Sequence, residues 1–328
     1  MVSAQQLKQS RLLLTRITNL THTKQTATVA NRVWLRHLQP KNPLWQHVST
    51  KIFTVDDHTG TAHVIALIDK RLPGIGLVGY FGATTQSAGS NVLTRACNWL
   101  KLQGLKDVYG PINGTITADY RLNIADDYQI PGEPVNPTWY IDVFENVGFR
   151  VFNRYVSGLV RHPRLYIRLA MPKRSTKDVE HIHLQPFDTT LTKRSVKAYH
   201  QLMNAIFPSN SIYCPVISLA ERTYNLVSSQ TRFDPNYSYI AYDDDKAVGF
   251  IVAYPLHESF VIKTIGVLPE YRGKRVSNLL VRTVHDQAEK DGLKTAIYST
   301  IRESTKVYKM KRPGLTIHRR YVTLHRSL

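Results

Sequence analysis

One succession of hydrophobic patterns runs along this sequence twice, and a chain so built has few ways to fold. In the second half, residues 181–187 alternate as a strand does, and helical periodicities follow at 190–207 and 216–229. Two apolar runs within 237–255, separated by Asp243, Asp244, Asp245 and Lys246, suit a hairpin. A strand at 259–268 then leads to a helix over 274–291. There Val276, Leu279, Leu280, Val284 and Ala288 share one face, and Gly292 supplies the stop. A strand at 295–300, a short helix at 303–311 and a strand at 315–326 close the series. The first half repeats much of it: a helix at 23–37, a hairpin of 51–55 and 61–69, a strand at 74–82 and an amphipathic helix at 89–104. A strand at 107–112, a helix at 138–149 and a strand at 150–160 follow. Two such series predict two related α/β (α+β) domains, 1–162 and 181–328. The linker at 163–180 mixes charge, proline and a connecting strand.

Length agrees with that division, since 328 residues at about 150 per domain make two. No apolar run approaches the roughly 20 residues of a membrane span. The first 20 residues hold only the apolar patch Leu12–Leu14, so no secretory signal is expected. Cys97 and Cys214 are too few for a disulfide framework or a zinc site, and Cys97 shares an apolar helical face with Val92, Leu93, Ala96 and Leu100. The cytoplasm of a bacterium is the expected setting. No residue is assigned to a metal, and Asp243–Asp245 read as a solvated turn. The 43 lysines and arginines against 24 aspartates and glutamates leave a net charge of +19. That balance suits anionic partners: nucleic acid, an acidic membrane surface or a polyphosphate.

The segment 267–280, VLPEYRGKRVSNLL, joins a buried strand to a buried helix through Arg272, Gly273, Lys274 and Arg275. A helix start presents unpaired N–H groups and a partial positive charge, so phosphates bind there readily. On charge alone, a solvated basic loop is the first reading of the segment, ahead of a phosphate site. Two other glycine-rich stretches read as structure. The G-x-G-x-x-G of residues 74–79 follows Pro73 and continues as a strand, without the helix a dinucleotide site needs. Residues 110–114, GPING, read as a turn.

With its surroundings, IKTIGVLPEYRGKRVSNLL resembles the acyl-CoA-binding segment of the GNAT superfamily of N-acyltransferases, whose strand ends in V-x-P before R/Q-x-x-G-x-G/A and a helix. The element order of 181–326 is similar too. Segments of the first half, such as GEPVNPTWYIDVFENVGF and RYVSGL, resemble a poorly characterised bacterial family with two such domains in tandem. The resemblance implies two GNAT-like domains, each a mixed, mostly antiparallel sheet flanked by helices. It implies acetyl-CoA or another acyl-CoA as donor and an amine as acceptor.

By the same resemblance, the loop Arg272, Gly273, Lys274, Arg275, Val276 and Ser277 holds the CoA diphosphate. The strand from Ile265 to Val267 pairs with the pantetheine arm, and the Val267 N–H faces the oxyanion. Tyr308 is the candidate acid, or an aromatic packed on a neighbouring strand. Glu258 is the candidate base, or a solvated turn residue. Ser304 bonds the pantetheine or caps a helix. Arg275 and Ser277 depart from the family's small residues: Arg275 either obstructs the phosphate or attracts it. Residues 80–90 of the first half lack the basic pattern, so the donor is expected in the second domain, with the first structural or shaping the acceptor site. Two other readings remain: a GNAT-like binder without catalysis, and a transferase using aminoacyl-tRNA, suggested by the net charge and the basic segment 306–326.

Overall fold

A computed structural model describes residues 3–116, 120–125, 130, 132–171, 179–188, 193–228, 233–305 and 314–328. The chain divides into two compact units. The first comprises Met1–Arg154, Ile212–Gln230 and Arg320–Leu328; the second comprises Tyr155–Ser211 and Thr231–Arg319. No helix among the described residues is long and apolar enough to cross a membrane.

Unit 1 opens with helices α1 (Ala4–Thr21) and α2 (Lys24–His37). The antiparallel strands β1 (Val48–Asp57), β2 (Gly60–Asp69) and β3 (Ile75–Ala83) follow. Helix α3 (Gln86–Leu102) carries the chain to β4 (Asp107–Gly110), which pairs parallel with β3. Next come the two-residue strand β5 (Leu122–Asn123) and helix α4 (Tyr140–Asn146). Apolar residues of the sheet meet α3 and α4 on one face, through Val64, Val78, Leu93, Cys97 and Phe144. On the other face Ile65, Leu67 and Leu77 meet Leu7 and Leu14 of α1 and Trp45. Cys97 is thus a core residue, its thiol pushed up to about 11 by burial.

Helix α1 is absent from the sequence-based expectation. Its buried face is Leu7, Ser10, Leu14, Ile17 and Thr18, so two of five contacts are hydroxyl residues and the apolar period is thin. The Thr18 hydroxyl is satisfied within unit 1: it donates to the Leu14 carbonyl (2.7 Å) and accepts from the Trp34 indole (3.2 Å). A Ser3–Gln6 capping box begins the helix.

Unit 2 begins within β6 (Arg150–Val160) and continues through α5 (Pro163–Ala170), β7 (Ile182–Pro186) and α6 (Lys193–Ile206). Helix α7 (Leu219–Ser228) belongs to unit 1, where Arg71 clasps the buried carboxylates of Asp69 (2.7 Å) and Glu221 (2.6 Å). Unit 2 then adds β8 (Tyr239–Asp243), β9 (Lys246–Leu256), β10 (Ser259–Val267), α8 (Val276–Lys290) and β11 (Thr295–Arg302). Strand order in unit 2 is β7-β8-β9-β10-β11-β6, with only β10–β11 parallel. Val276, Leu280, Val284 and Ala288 of α8 are at most 1% exposed. Burying a side chain of leucine or valine size contributes about 1.5–3 kcal/mol, so this face fixes where the helix start points.

The strand β12 (Leu315–Ser327) ends the described chain. Its residues 321–327 pair with β4 and β5 in unit 1, while residues 155–160 of β6 pair with β11 in unit 2. The compact units therefore interleave along the sequence, whereas a division at 162 and 181 keeps each closing strand with its own half. Strand pairing decides the membership, and pairing is not visible in a single strand's pattern. Within 163–180 the chain forms the helix α5 rather than a connecting strand; Pro163 stands in its first turn, where its missing N–H costs nothing.

Candidate functional site

In unit 2 the parallel strands β10 and β11 form a fork. They pair from Ser259–Thr295 to Ile262–Tyr298 and then part. Beyond that point each is held by its outer neighbour: β10 continues along β9 to the Val267–Gly249 pair, and β11 continues along β6 to Arg302–Tyr155. Both strands are irregular where they part. The β10–β9 register shifts between Ile262 and Thr264, and the β11–β6 register shifts between Tyr298 and Ile301. A register shift of this kind re-aims backbone and side chains.

The loop 268–275 closes the open end of this fork. Pro269–Tyr271 form one 3-10 turn, and Arg272 N–H returns to the Pro269 carbonyl at 3.1 Å. Gly273 has φ +84°, and a Cβ there would find no atom within 4 Å, so glycine is used for its conformation and the loop is open around it. Arg275 caps α8 with φ 62° and ψ 9° and makes no side-chain cap bond. The first helical bond, Leu279 N–H to the Arg275 carbonyl, is 3.0 Å. The N–H groups of Val276, Ser277 and Asn278 precede it and have no partner within the helix. The Tyr271 hydroxyl donates to Asp243 at 2.6 Å, and the ammonium groups of Lys246 and Lys274 lie 5.2 and 4.8 Å from its ring centroid. The hairpin turn of the three aspartates thus anchors the loop.

The structure gathers most of the sequence-derived candidates at one end. Arg272, Gly273, Lys274 and Ser277 are exposed, Arg275 is half-buried and Val276 is buried. Ile265 and Val267 are half-buried and pack on the α8 side of the sheet; Leu268 N–H bonds the Val248 carbonyl of β9 at 2.9 Å, so by alternation the Val267 N–H points to the other edge, toward the fork. Ser304 is exposed in the turn after β11; because β10 and β11 are parallel, that turn lies at the open end too. Glu258 is not gathered there. It sits in the turn before β10, at the closed end, three-quarters exposed and paired with Lys294 at 3.2 Å. Strand β10 separates it from the loop by roughly 26 Å. Tyr308 lies outside the described residues.

Sequence reasoning passed over Lys263, Ser299, Thr300 and Ser157, which surround the point where the fork opens. Lys263 Nζ donates to Ser299 Oγ at 3.3 Å, and Thr300, with φ 52°, donates its N–H to the buried Ser157 Oγ at 2.9 Å. A signal existed: Lys263 is a cation inside the apolar run SFVIKTIGV.

Unit 2 is thus a mixed sheet whose parallel strands fork beside the start of a helix. Residues 198–310 match the Acetyltransferase (GNAT) family. A tandem GNAT protein from the clavulanic acid biosynthesis pathway, solved without AcCoA, superposes with TM-score 0.56 at 10% identity, over 98% of this chain and 95% of that one. A GCN5-related N-acetyltransferase from Kribbella flavida gives TM-score 0.55 at 9% identity, over 100% and 70%. A probable N-acyltransferase from Enterococcus faecalis V583 gives 0.54 at 10%, over 99% and 71%. No curated protein sequence matches the chain. Residues 198–310 are thus similar to the GNAT family, and the chain has the fold of tandem GNAT proteins.

Proposed function

We propose that unit 2 binds an acyl-CoA, acetyl-CoA being the expected donor, and transfers its acyl group to an amine. The observation that supports this most is the fork of β10 and β11 ending at a helix start with no side-chain cap. The thioester, when bound, supplies an activated acyl carbon. The N–H groups of Val276, Ser277 and Asn278 bind the diphosphate, helped by the helix dipole and by Arg272 and Lys274. The β10 edge at Ile265 and Val267, left by β11, pairs with the amides of the arm and presents an N–H toward the developing oxyanion. Arg275 adopts the left-handed conformation that the family's glycine would take, which supports the reading that its side chain leaves the loop amides accessible. Ser304 contacts the arm at the open end. Tyr308 is the proposed proton donor to the departing sulfur. Glu258 would take the acceptor's proton only through a relay from the closed end, so an unchanged pH–rate profile in Glu258→Gln would remove it from the reaction.

Calorimetric titration with CoA tests the reading. The unmodified protein should bind, and Ser277→Glu should weaken binding about tenfold or more by placing a carboxylate against the diphosphate. The same substitution should leave the fold intact or add a few tenths of a kcal/mol, because acidic residues suit a helix start. No CoA binding, or equal binding by Ser277→Glu, would refute it. Two alternatives separate in the same material. A non-catalytic binder would take acetyl-CoA without releasing thiol across a panel of amines. An aminoacyl-tRNA-dependent transferase would bind tRNA with steep salt dependence.

A further inference from the structure

Lys263 is a half-buried cation in a largely apolar strand. It falls between Ile262, the last β10 residue paired with β11, and Thr264, where pairing with β9 resumes. Its ammonium reaches Ser299, which is 6% exposed and lies within the corresponding irregularity of β11. A side chain from one strand's bulge thus meets a side chain from the other's, across the line where the fork opens. Ordering a lysine costs up to about 2 kcal/mol of rotamer freedom, and drawing its charge away from water costs more.

We propose that Lys263 holds its ammonium beside the sulfur of the bound thioester and stabilises the negative charge that gathers there as the acyl group leaves. This rests on the donor-binding reading above. The start of α8 fixes the diphosphate at the open end, and an extended arm lying along β10 runs toward the closed end. From Val267 to Lys263 is four residues, roughly 13 Å of strand. The arm's sulfur therefore arrives where the strands converge. As the acceptor nitrogen bonds to the acyl carbon, the carbon–sulfur bond breaks and its electron pair goes to sulfur, where Lys263 bears the charge until the proposed donor Tyr308 protonates it. The acceptor's proton passes to solvent. A fixed cation in this partly desolvated cleft acts on that charge more strongly than it would in bulk water. Ser299 acts as a positioning residue by holding the ammonium across the fork.

The test is the ionisation of the thiol of bound CoA, followed by ultraviolet thiolate absorbance against pH. The unmodified protein should lower the thiol's pKa by about one unit, a tenfold gain in thiolate at a given pH. Lys263→Met should abolish the shift while changing CoA affinity less than about threefold, since the diphosphate carries most of the binding. Lys263→Arg should retain part of it, and Ser299→Ala should reduce it. If Lys263→Met fails to fold, Lys263→Gln and Ser299→Ala carry the same comparison. Equal thiol ionisation in all these proteins, with CoA still bound, would overturn the role of Lys263 and leave the donor site standing. Failure of the unmodified protein to bind CoA would overturn both.

Discussion

Unit 1 contains a fork of its own between β3 and β4, and set beside the β10–β11 fork it shows how the same strands can be left open or filled. In unit 1 the parallel pairing runs only from Ile75–Asp107 to Leu77–Tyr109, while β3 continues along β2 to Ala83. The gap beyond is filled by the chain. Ile112 N–H bonds the Val78 carbonyl (2.9 Å), Asn113 Oδ1 accepts from Tyr80 N–H (2.5 Å), and the Tyr140 hydroxyl accepts from Ala83 N–H (2.9 Å) and donates to its carbonyl (3.0 Å). The following helix is capped as well, by Thr85 Oγ accepting from Ala88 N–H. What remains is a cavity of about 50 Å³ bordered by Gly82, Asn113 and Tyr140. In unit 2 the corresponding helix start has no side-chain cap, and the β10–β11 ladder ends at Ile262–Tyr298 among the described residues. Buried backbone groups need partners. In unit 1 the partners of the fork come from its own chain.

Acid should separate the two units most. Burial holds His37 and His63 of unit 1, and His285 of unit 2, at a pKa of about 4 against 6.5 unfolded. Each is neutral in the fold, so its contribution is complete above pH 6.5 and is lost as pH falls from there toward 4. The loss reaches about 1.4 kcal/mol per pH unit per histidine, or about 3 kcal/mol each. His63 bonds the Tyr80 carbonyl in the filled fork at 2.8 Å. Amide exchange at pH 4.5 should therefore accelerate over residues 62–83 more than over 249–267; the reverse order would break the comparison.

Filling a fork with backbone leaves no room for a methyl group. A Cβ on Gly79 would lie 2.1 Å from the Ile112 carbonyl oxygen, whereas on Gly266 its nearest atoms are side-chain carbons of Phe250 (2.7 Å) and Ile206 (3.0 Å). Gly79→Ala should cost about 3 kcal/mol or more and Gly266→Ala less, read as urea midpoints. Tyr140→Phe should cost about 2 kcal/mol, because it strands the N–H and carbonyl of Ala83 in the interior. That variant should leave CoA binding unchanged, and lost binding would tie unit 1's fork to the donor site. The smallest effect belongs to Arg275→Gly. It should stabilise by about 1 kcal/mol through relief of the left-handed conformation, with CoA affinity held or improved. A large affinity loss would instead assign the guanidinium to phosphate binding.

The pattern of alternation and helical period was enough to locate β1, β2, β3, α3, β9, β10 and α8 to within a few residues, because each buries a continuous apolar face. Helix α1 escaped because hydroxyls stand in its buried stripe. The loop before α8 was legible because its chemistry is local: glycine at positive φ, cations, a helix start. The fork was not, since it exists only when strands far apart in sequence pair and then part. For the same reason Lys263 and Ser299 look unrelated in the sequence, and the filling of the first fork by residues 112, 113 and 140 leaves no motif.

The interleaving of the units has a consequence for how the protein is made. The β4 strand of unit 1 leaves the ribosome about two hundred residues before 321–327, its partner in the ladder, so that edge must wait, exposed, through most of synthesis. Severing the gene at the apparent midpoint would yield two fragments that each carry a strand the other needs, and co-expression of the two pieces, rather than either alone, is the route by which such halves would recover a native sheet.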